Sequence, residues 1–140
     1  MRPSVSLFVL AALCAFGCTS PTKQEAKSLV SAVDRYRKAE NTEKPELADA
    51  LEAVACADPE VCATKDACLA VSRPTAKALR LQREVTQGVA AMQEGGLSPY
   101  DPKARAFPEK IDESQRLLVE GEAALEACDE KLTALRMKYR

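Results

Sequence analysis

The last part of the chain carries the pattern that most restricts its fold, a run of apolar and small residues spaced three and four apart. The positions are Ile111, Ser114, Leu118, Gly121, Leu125, Cys128, Leu132, Leu135 and Tyr139. Such spacing puts side chains on one face of a helix, in the manner of a heptad seam. The pattern predicts a helix over Glu109–Tyr139. We expect its seam to pack within a monomer, because other striped helices are present; a homo-oligomer through residues 111–139 is the alternative.

Shorter helices are predicted upstream of this seam. Pro is favoured in the first turn of a helix, so three prolines indicate helix starts. The predicted helices cover Lys23–Glu40, about Pro45 to Cys56, Pro59–Val71 and Pro74–Glu94. We found no strand pattern, and the connections are short. The sequence therefore predicts an all-α fold, a small antiparallel bundle of four to five helices that forms a single domain over residues 24–140.

The stretch Leu97–Pro108 interrupts the helices, because it contains three prolines. Long ordered connections in small domains are often functional. The alternative is a structural connection in which Leu97, Tyr100 and Phe107 cap the end of the bundle, and we favour this alternative.

The N-terminal segment Val5–Cys18 is mostly apolar and follows a single basic residue, Arg2. A charged start, a short apolar core and small residues at the end are typical of a secretory signal peptide. The apolar run is shorter than the roughly 20 residues that a membrane-spanning helix needs. The segment therefore predicts export of the rest of the chain.

The sequence Ala15-Phe16-Gly17-Cys18 resembles the lipobox of bacterial lipoproteins, in which the cysteine is acylated and becomes the first residue. The resemblance implies a signal peptide at residues 1–17, a lipidated Cys18 and a tether over residues 18–23. Thr19, rather than Asp, follows the cysteine, which implies an outer-membrane protein that faces the periplasm. Ordinary secretion is the alternative, since Ala15 and Gly17 also fit a signal-peptidase site that cuts the same bond.

The cysteine count agrees with lipidation. Of six cysteines, Cys14 leaves with the signal peptide and Cys18 takes the lipid. The four that remain are Cys56, Cys62, Cys68 and Cys128. An even set is expected for disulfides in an exported chain. The predicted core is thin, because Leu, Ile, Val and Phe supply only 22 of the 123 residues from 18 to 140, so disulfides would add needed stability.

Helix geometry limits how these four cysteines pair. Cys62 and Cys68 share a predicted helix, which separates them by roughly 9 Å along its axis. Bonded cysteines have Cα atoms within about 7 Å, so this pair is disfavoured. Cys56 and Cys62 flank Pro59 at a tight corner, which favours 56–62 with 68–128. The pairing 56–68 with 62–128 remains the alternative.

The sequence contains few residues that are typical of catalytic or metal-binding sites. The chain has no His, which is the commonest general base and metal ligand, and we predict no catalytic residue, metal site or cofactor. The net charge of residues 18–140 is −2, from 19 basic and 21 acidic residues, so nucleic acid is not an expected partner.

One basic stripe is a possible anion-binding site. Its members are Arg73, Lys77, Arg80 and Arg83. The alternative, which we favour, is that they form ion pairs with acidic residues of the last helix. The expected partners are Glu126, Asp129 and Glu130.

Two functions are compatible with these features. The first is a non-enzymatic interaction or structural module, held at the outer membrane by its lipid, that binds a periplasmic or envelope protein through helical surfaces. The second is a carrier for a small apolar or lipid ligand, which requires a cavity between the helices. An apolar pocket of at least roughly 300 Å³ would favour the carrier.

Overall fold

Six helical segments make up residues 20–140, the part of the chain that the computed structural model describes. They are α1 (Pro21–Lys38), α2 (Lys44–Glu52), α3 (Pro59–Gln93), α4 (Pro102–Arg105), α5 (Phe107–Ala123) and α6 (Leu125–Lys138). These residues contain no strand, which confirms the all-α prediction. The predicted signal peptide and the predicted lipidation site Cys18 lie outside the described residues.

The longest helix, α3, is continuous through Pro74, so the predicted helix start at this proline is wrong. Proline has no N–H, and the Ala70 carbonyl therefore loses its helical donor. The helix continues because its residues on both sides of Pro74 are buried against other helices, including Val71 and Ala76. Tertiary packing thus outweighs the local preference of proline for a helix start.

The predicted last helix is divided in two. The chain leaves α5 at Ala124, whose N–H bonds to the Gly121 carbonyl at 3.3 Å, three residues back, and α6 starts at Leu125. Hydrogen bonds to the carbonyl three residues back are typical of the last turn of an α-helix. The predicted seam is buried in part: Ser114, Gly121, Cys128, Leu132 and Leu135 are buried, whereas Ile111 and Leu125 are exposed.

The other helices pack around α3, and ion pairs give their directions. Glu46 and Glu52 of α2 pair with Arg83 and Arg73 of α3, so α2 runs antiparallel to α3. Together, α5 and α6 run antiparallel along the whole of α3. Three contacts in order along the helices establish this direction: Phe107 with Gly88, Gly121 with Val71, and Lys138 with Glu60.

The main core lies where α1, α2, the first half of α3 and α6 meet. Its fully buried side chains include Leu29, Leu51, Val61, Leu132 and Leu135. The buried seam residues of α6 belong to this core, so this part of the seam packs within the chain as predicted. A separate cluster of Val85, Ala104 and Phe107 holds the far end of α3 against α4 and α5.

Two disulfides fasten the main core, with the favoured pairing. Cys56 and Cys62 are bonded across the corner before α3, with their Cα atoms 5.4 Å apart. Cys68 and Cys128 join α3 to the first turn of α6, with their Cα atoms 4.7 Å apart. The alternative pairing is thereby excluded.

Within residues 20–140, every helix is too short or too polar to cross a membrane.

Candidate functional site

The start of α1 fixes how the domain follows Cys18. Ser20 is the N-cap of α1, and its hydroxyl accepts a hydrogen bond from the Lys23 N–H at 3.2 Å. Pro21 is already the first helical residue, which is the position where proline is favoured. The helix therefore begins two residues before the end of the tether predicted over residues 18–23, and only Thr19 and Ser20 separate Cys18 from α1 in the sequence.

Other chain segments meet at this end of the bundle, which we call the anchor end: residues 20–25, 57–60 and 138–140. Glu25 accepts hydrogen bonds from the N–H groups of Ala57 and Asp58, at 2.9 and 3.2 Å. Lys23 Nζ donates to the carbonyl of Arg140 at 2.9 Å. The start of α1, the start of α3 and the end of the chain are therefore held together.

The opposite end, which we call the tip, comprises residues 94–101 between α3 and α4. With 35 residues in α3 and a rise of about 1.5 Å per residue, the tip lies roughly 50 Å along the helix from the anchor end. Gly95 of the tip has φ 77°, which suits a glycine that ends a helix. The tip carries Tyr100, whose surface is 87% exposed.

The expectation that three residues cap this end of the bundle is right for two of them. Phe107 is buried and Leu97 packs against the same cluster. Tyr100 does not cap the bundle, because it faces solvent. Its position follows from the turn between Ser98 and Asp101, whose N–H bonds to the Ser98 carbonyl at 3.0 Å.

Each cation of the basic stripe has a carboxylate partner on another helix. Three of them pair with α2: Arg73 with Glu52 at 2.5 Å, Arg80 with Asp49 at 2.7 Å, and Arg83 with Glu46 at 3.1 Å. The fourth, Lys77, pairs with Glu113 of α5 at 2.6 Å. Pairing between helices is therefore the role that the geometry favours over anion binding.

The predicted partners of the stripe are wrong. The second half of the last predicted helix lies beside the start of α3, and its Asp129 pairs with Arg37 of α1 instead. Acidic residues of α2 lie beside the stripe instead, and they pair with three of its four cations. The sequence did not indicate them as partners.

These pairs affect the acidity of the carboxyl groups. The Arg83 guanidinium lowers the pKa of Glu46, and Arg73 lowers the pKa of Glu52, mainly through hydrogen bonds. Lys110 and Lys77 lower the pKa values of Glu84 and Glu113 in the same way. All four carboxylates lie at the protein surface, where solvent screens such pairs, so their contribution to stability is small.

A cavity of about 260 Å³ lies where α1, α2 and α3 meet the junction of α5 and α6. Its walls are largely apolar, and the Cys68–Cys128 disulfide forms part of them. Tyr36 lines the cavity with only 6% of its surface exposed, and its hydroxyl has no hydrogen-bond partner in the described chain. Burial raises the pKa of the Tyr36 phenol above its usual 10.0.

A larger groove, of about 450 Å³, runs along the surface between α1 and α6. Its floor includes Val30 and Tyr139, but charged side chains surround it. They are Lys27, Asp34, Arg35, Lys38 and Arg136. Asp34 and Arg136 form an ion pair across the groove, so its polar rim is already paired in part.

Sequence reasoning missed the cavity and its polar residues. Tyr36 belongs to the buried face of α1, among aliphatic side chains. The only signal available was a hydroxyl-bearing side chain within an otherwise aliphatic stripe. Thr75 gave no signal, because the proline before it indicated a helix start.

Residues 20–140 contain no group of three or more acidic or cysteine side chains placed to hold a metal ion. Comparison of the chain with protein-family models, with curated proteins and with solved structures found no match.

Proposed function

We propose that the chain is a lipoprotein held at the outer membrane by an acyl group on Cys18, where it acts in the periplasm as a non-enzymatic interaction module. The observation that carries this proposal is the disulfide pattern. All four cysteines after Cys18 pair with one another. Disulfides persist in oxidising compartments outside the cytoplasm. Because these four cysteines are all used in the two disulfides, Cys18 remains available for the lipid.

The start of α1 supports a fixed position at the membrane surface. Two residues separate Cys18 from Pro21, and a chain of this length spans about 10 Å when extended. An acyl group on Cys18 would therefore hold the anchor end beside the lipid headgroups. The tip would then reach up to roughly 50 Å into the periplasm, which is the length of α3.

The tip is the surface that we assign to a protein partner. Tyr100 is its most exposed large side chain, and Tyr is enriched in protein interfaces because its ring buries apolar area while its hydroxyl bonds to polar groups. Phe107 and its buried neighbours hold the base of the tip, so the tyrosine is presented from an ordered turn. We assign the partner to the envelope, within reach of the tip.

Crosslinking in intact cells followed by purification tests this proposal. We expect wild type to yield one stoichiometric envelope protein, and both Cys18→Ser and Tyr100→Ala to lose it. Val119→Ala is the matched control, because Val119 is an exposed apolar residue on α5, away from the tip. Equal recovery of the partner with Tyr100→Ala would contradict the assignment to the tip. Recovery of the wild-type protein alone, with small molecules retained, would contradict the interaction module.

A carrier for a small apolar or lipid ligand is the second candidate, and the cavity beside Tyr36 is the observation in its favour. Its volume of about 260 Å³ is slightly below the range of roughly 300–1,000 Å³ that is usual for ligand pockets. This size excludes a long acyl chain folded wholly inside it. The cavity therefore ranks below the anchored module as an explanation of function.

A further inference from the structure

The groove between α1 and α6 carries a surplus of positive charge. Asp34 is the only carboxylate among the described residues that line it, and it is paired with Arg136 of α6. Lys27, Arg35 and Lys38 of α1 also line the groove and are exposed. None of the three takes part in an ion pair within the described chain. The rim of the groove therefore has three cations and no carboxylate left to neutralise them.

These cations lie in one row along α1. Positions 27, 31, 35 and 38 are three or four residues apart, which places them on one face of the helix. Ser31, which also lines the groove, is the uncharged member of the row. From Lys27 to Lys38 the row extends roughly 17 Å, at about 1.5 Å per residue. An occupant that meets all three cations is therefore elongated and carries several negative charges.

The floor of the groove beside this row is apolar. Val30 and Tyr139 line it, and both are partly exposed, so apolar groups of an occupant can reach them. Ala26 and Leu135 lie deeper and are almost wholly buried. The volume of about 450 Å³ leaves space for apolar side chains between the two helices. The groove thus combines a recessed apolar strip with a basic edge.

This combination favours a helix of another protein over a membrane surface. An amphipathic helix binds with its apolar face in a groove, and acidic residues beside that face would then meet the cations of the rim. A length of roughly 17 Å corresponds to about three helical turns. A bilayer presents a broad surface, which does not enter a recess between two helices. The groove also runs along the side of the bundle, whereas the proposed lipid lies at its end.

We infer that the groove between α1 and α6 binds an acidic amphipathic helix of a partner protein. Apolar residues of this helix would pack against Val30 and Tyr139, and its carboxylates would pair with the row of Lys27, Arg35 and Lys38. The groove is separate from the tip and does not need the lipid, so the inference stands whether or not the proposed function is correct.

Binding of a synthetic helix tests the inference. The probe is a peptide of about 14 residues, or four helical turns, with Leu at positions three and four apart, Glu beside the leucines and Ala elsewhere. The same peptide with Lys in place of Glu is the charge control. The exported chain with Cys18→Ser and both disulfides intact serves as the protein, because it needs no detergent.

We expect saturable binding of the Glu peptide, with NMR shifts of the backbone amides of Val30, Ser31 and Tyr139. The Lys peptide should bind at least about tenfold more weakly, since it meets the row with like charge. Added salt should weaken the binding of the Glu peptide, because it screens exposed charges.

The variant Lys27→Gln/Arg35→Gln/Lys38→Gln should weaken binding of the Glu peptide by about tenfold, the combined value of three exposed ion pairs. The matched control is Lys103→Gln/Arg105→Gln/Arg116→Gln, which removes the same charge from exposed residues of α4 and α5 and should keep the affinity. Neither variant removes an ion pair of the described chain, so both should keep the melting temperature of wild type.

Four results would overturn the inference. They are the absence of saturable binding, equal binding of the Glu and Lys peptides, shifts confined to residues outside the groove, and equal weakening by the two triple variants. Vesicles of phosphatidylethanolamine and phosphatidylglycerol test the membrane as the occupant. Binding to these vesicles that needs the row, without binding of the Glu peptide, would assign the groove to lipid. Self-association that is lost with the row would assign it to a second copy of the chain.

Discussion

Gly88 of α3 lies directly beneath the ring of Phe107, the first residue of α5. A Cβ atom at position 88 would be 2.1 Å from Phe107 Cζ. The absence of a side chain at this position lets the ring lie against the backbone of α3. Phe107 in turn belongs to the cluster that supports the tip, so this contact determines how α5 starts and how the tip is held.

Gly88→Ala should therefore destabilise the protein. A methyl group at this distance forces the ring to move, and overpacking of this kind costs about 1–3 kcal/mol. Denaturant unfolding followed by circular dichroism measures the change. Gly96→Ala is the matched control, since its Cβ would meet only the Ala91 carbonyl at 3.5 Å, an ordinary contact. Equal stability of Gly88→Ala and Gly96→Ala would show that the ring does not depend on the glycine.

The two disulfides should contribute unequally. The Cys68–Cys128 bond closes a loop of 60 residues and the Cys56–Cys62 bond one of only 6. In the chain-entropy account, closing these loops stabilises the protein by about 4 and about 2 kcal/mol respectively. We expect the double variant Cys68→Ala/Cys128→Ala to lose more unfolding free energy than Cys56→Ala/Cys62→Ala. The reverse order, measured by denaturant unfolding, would contradict this account.

Stability should decrease in acid. Glu46 and Glu52 have pKa values lowered from 4.5 by Arg83 and Arg73. A carboxyl group with a lowered pKa in the folded state contributes stability that is present above its unfolded pKa and is lost as the pH falls through the folded pKa. The unfolding free energy should therefore fall below about pH 4.5. The variant Glu46→Gln/Glu52→Gln should lose less over that range, and an identical acid profile would contradict the role of these pairs.

The basic stripe should affect folding and not anion binding. Replacing Lys77 and Arg80 by Gln removes two surface ion pairs, and it also removes a hydrogen bond from Arg80 to the Pro45 carbonyl at 2.9 Å. We expect a small fall in melting temperature and no specific binding of inorganic phosphate by the wild type or by the variant. Unchanged stability with a large loss of phosphate affinity would support an anion site instead.

The disulfide pairing and the helical class were predictable because both depend on local geometry. Residues spaced three and four apart specify a buried face, and the separation of Cys62 from Cys68 within one helix disfavoured their pairing. The corner at Pro59 brought Cys56 close to Cys62, and the structure has this bond. The Cys68–Cys128 pair, 60 residues apart in the chain, then followed because only these two cysteines remained.

The errors came from contacts between distant segments. Pro74 indicates a helix start locally, but its ring is buried in a packed helix. The choice of Asp129 as a partner placed the second half of the last helix beside the stripe, whereas that half lies beside the start of α3 and Lys77 pairs with Glu113 of α5. The cavity lies where α1, α2 and α3 meet the junction of α5 and α6 at Ala124. A pattern within one stretch of the sequence does not indicate where several helices meet in the fold.

We propose that Cys18 carries the lipid that holds the domain at the membrane. The most direct measurement is intact mass analysis of the mature protein from bacterial membranes, with Cys18→Ser beside wild type. We expect wild type to begin at residue 18, to carry added acyl mass and to remain in the membrane fraction, while Cys18→Ser lacks the acyl mass and leaves that fraction. A wild-type protein that begins at Cys18 without acyl mass and is recovered in the soluble fraction would contradict the account.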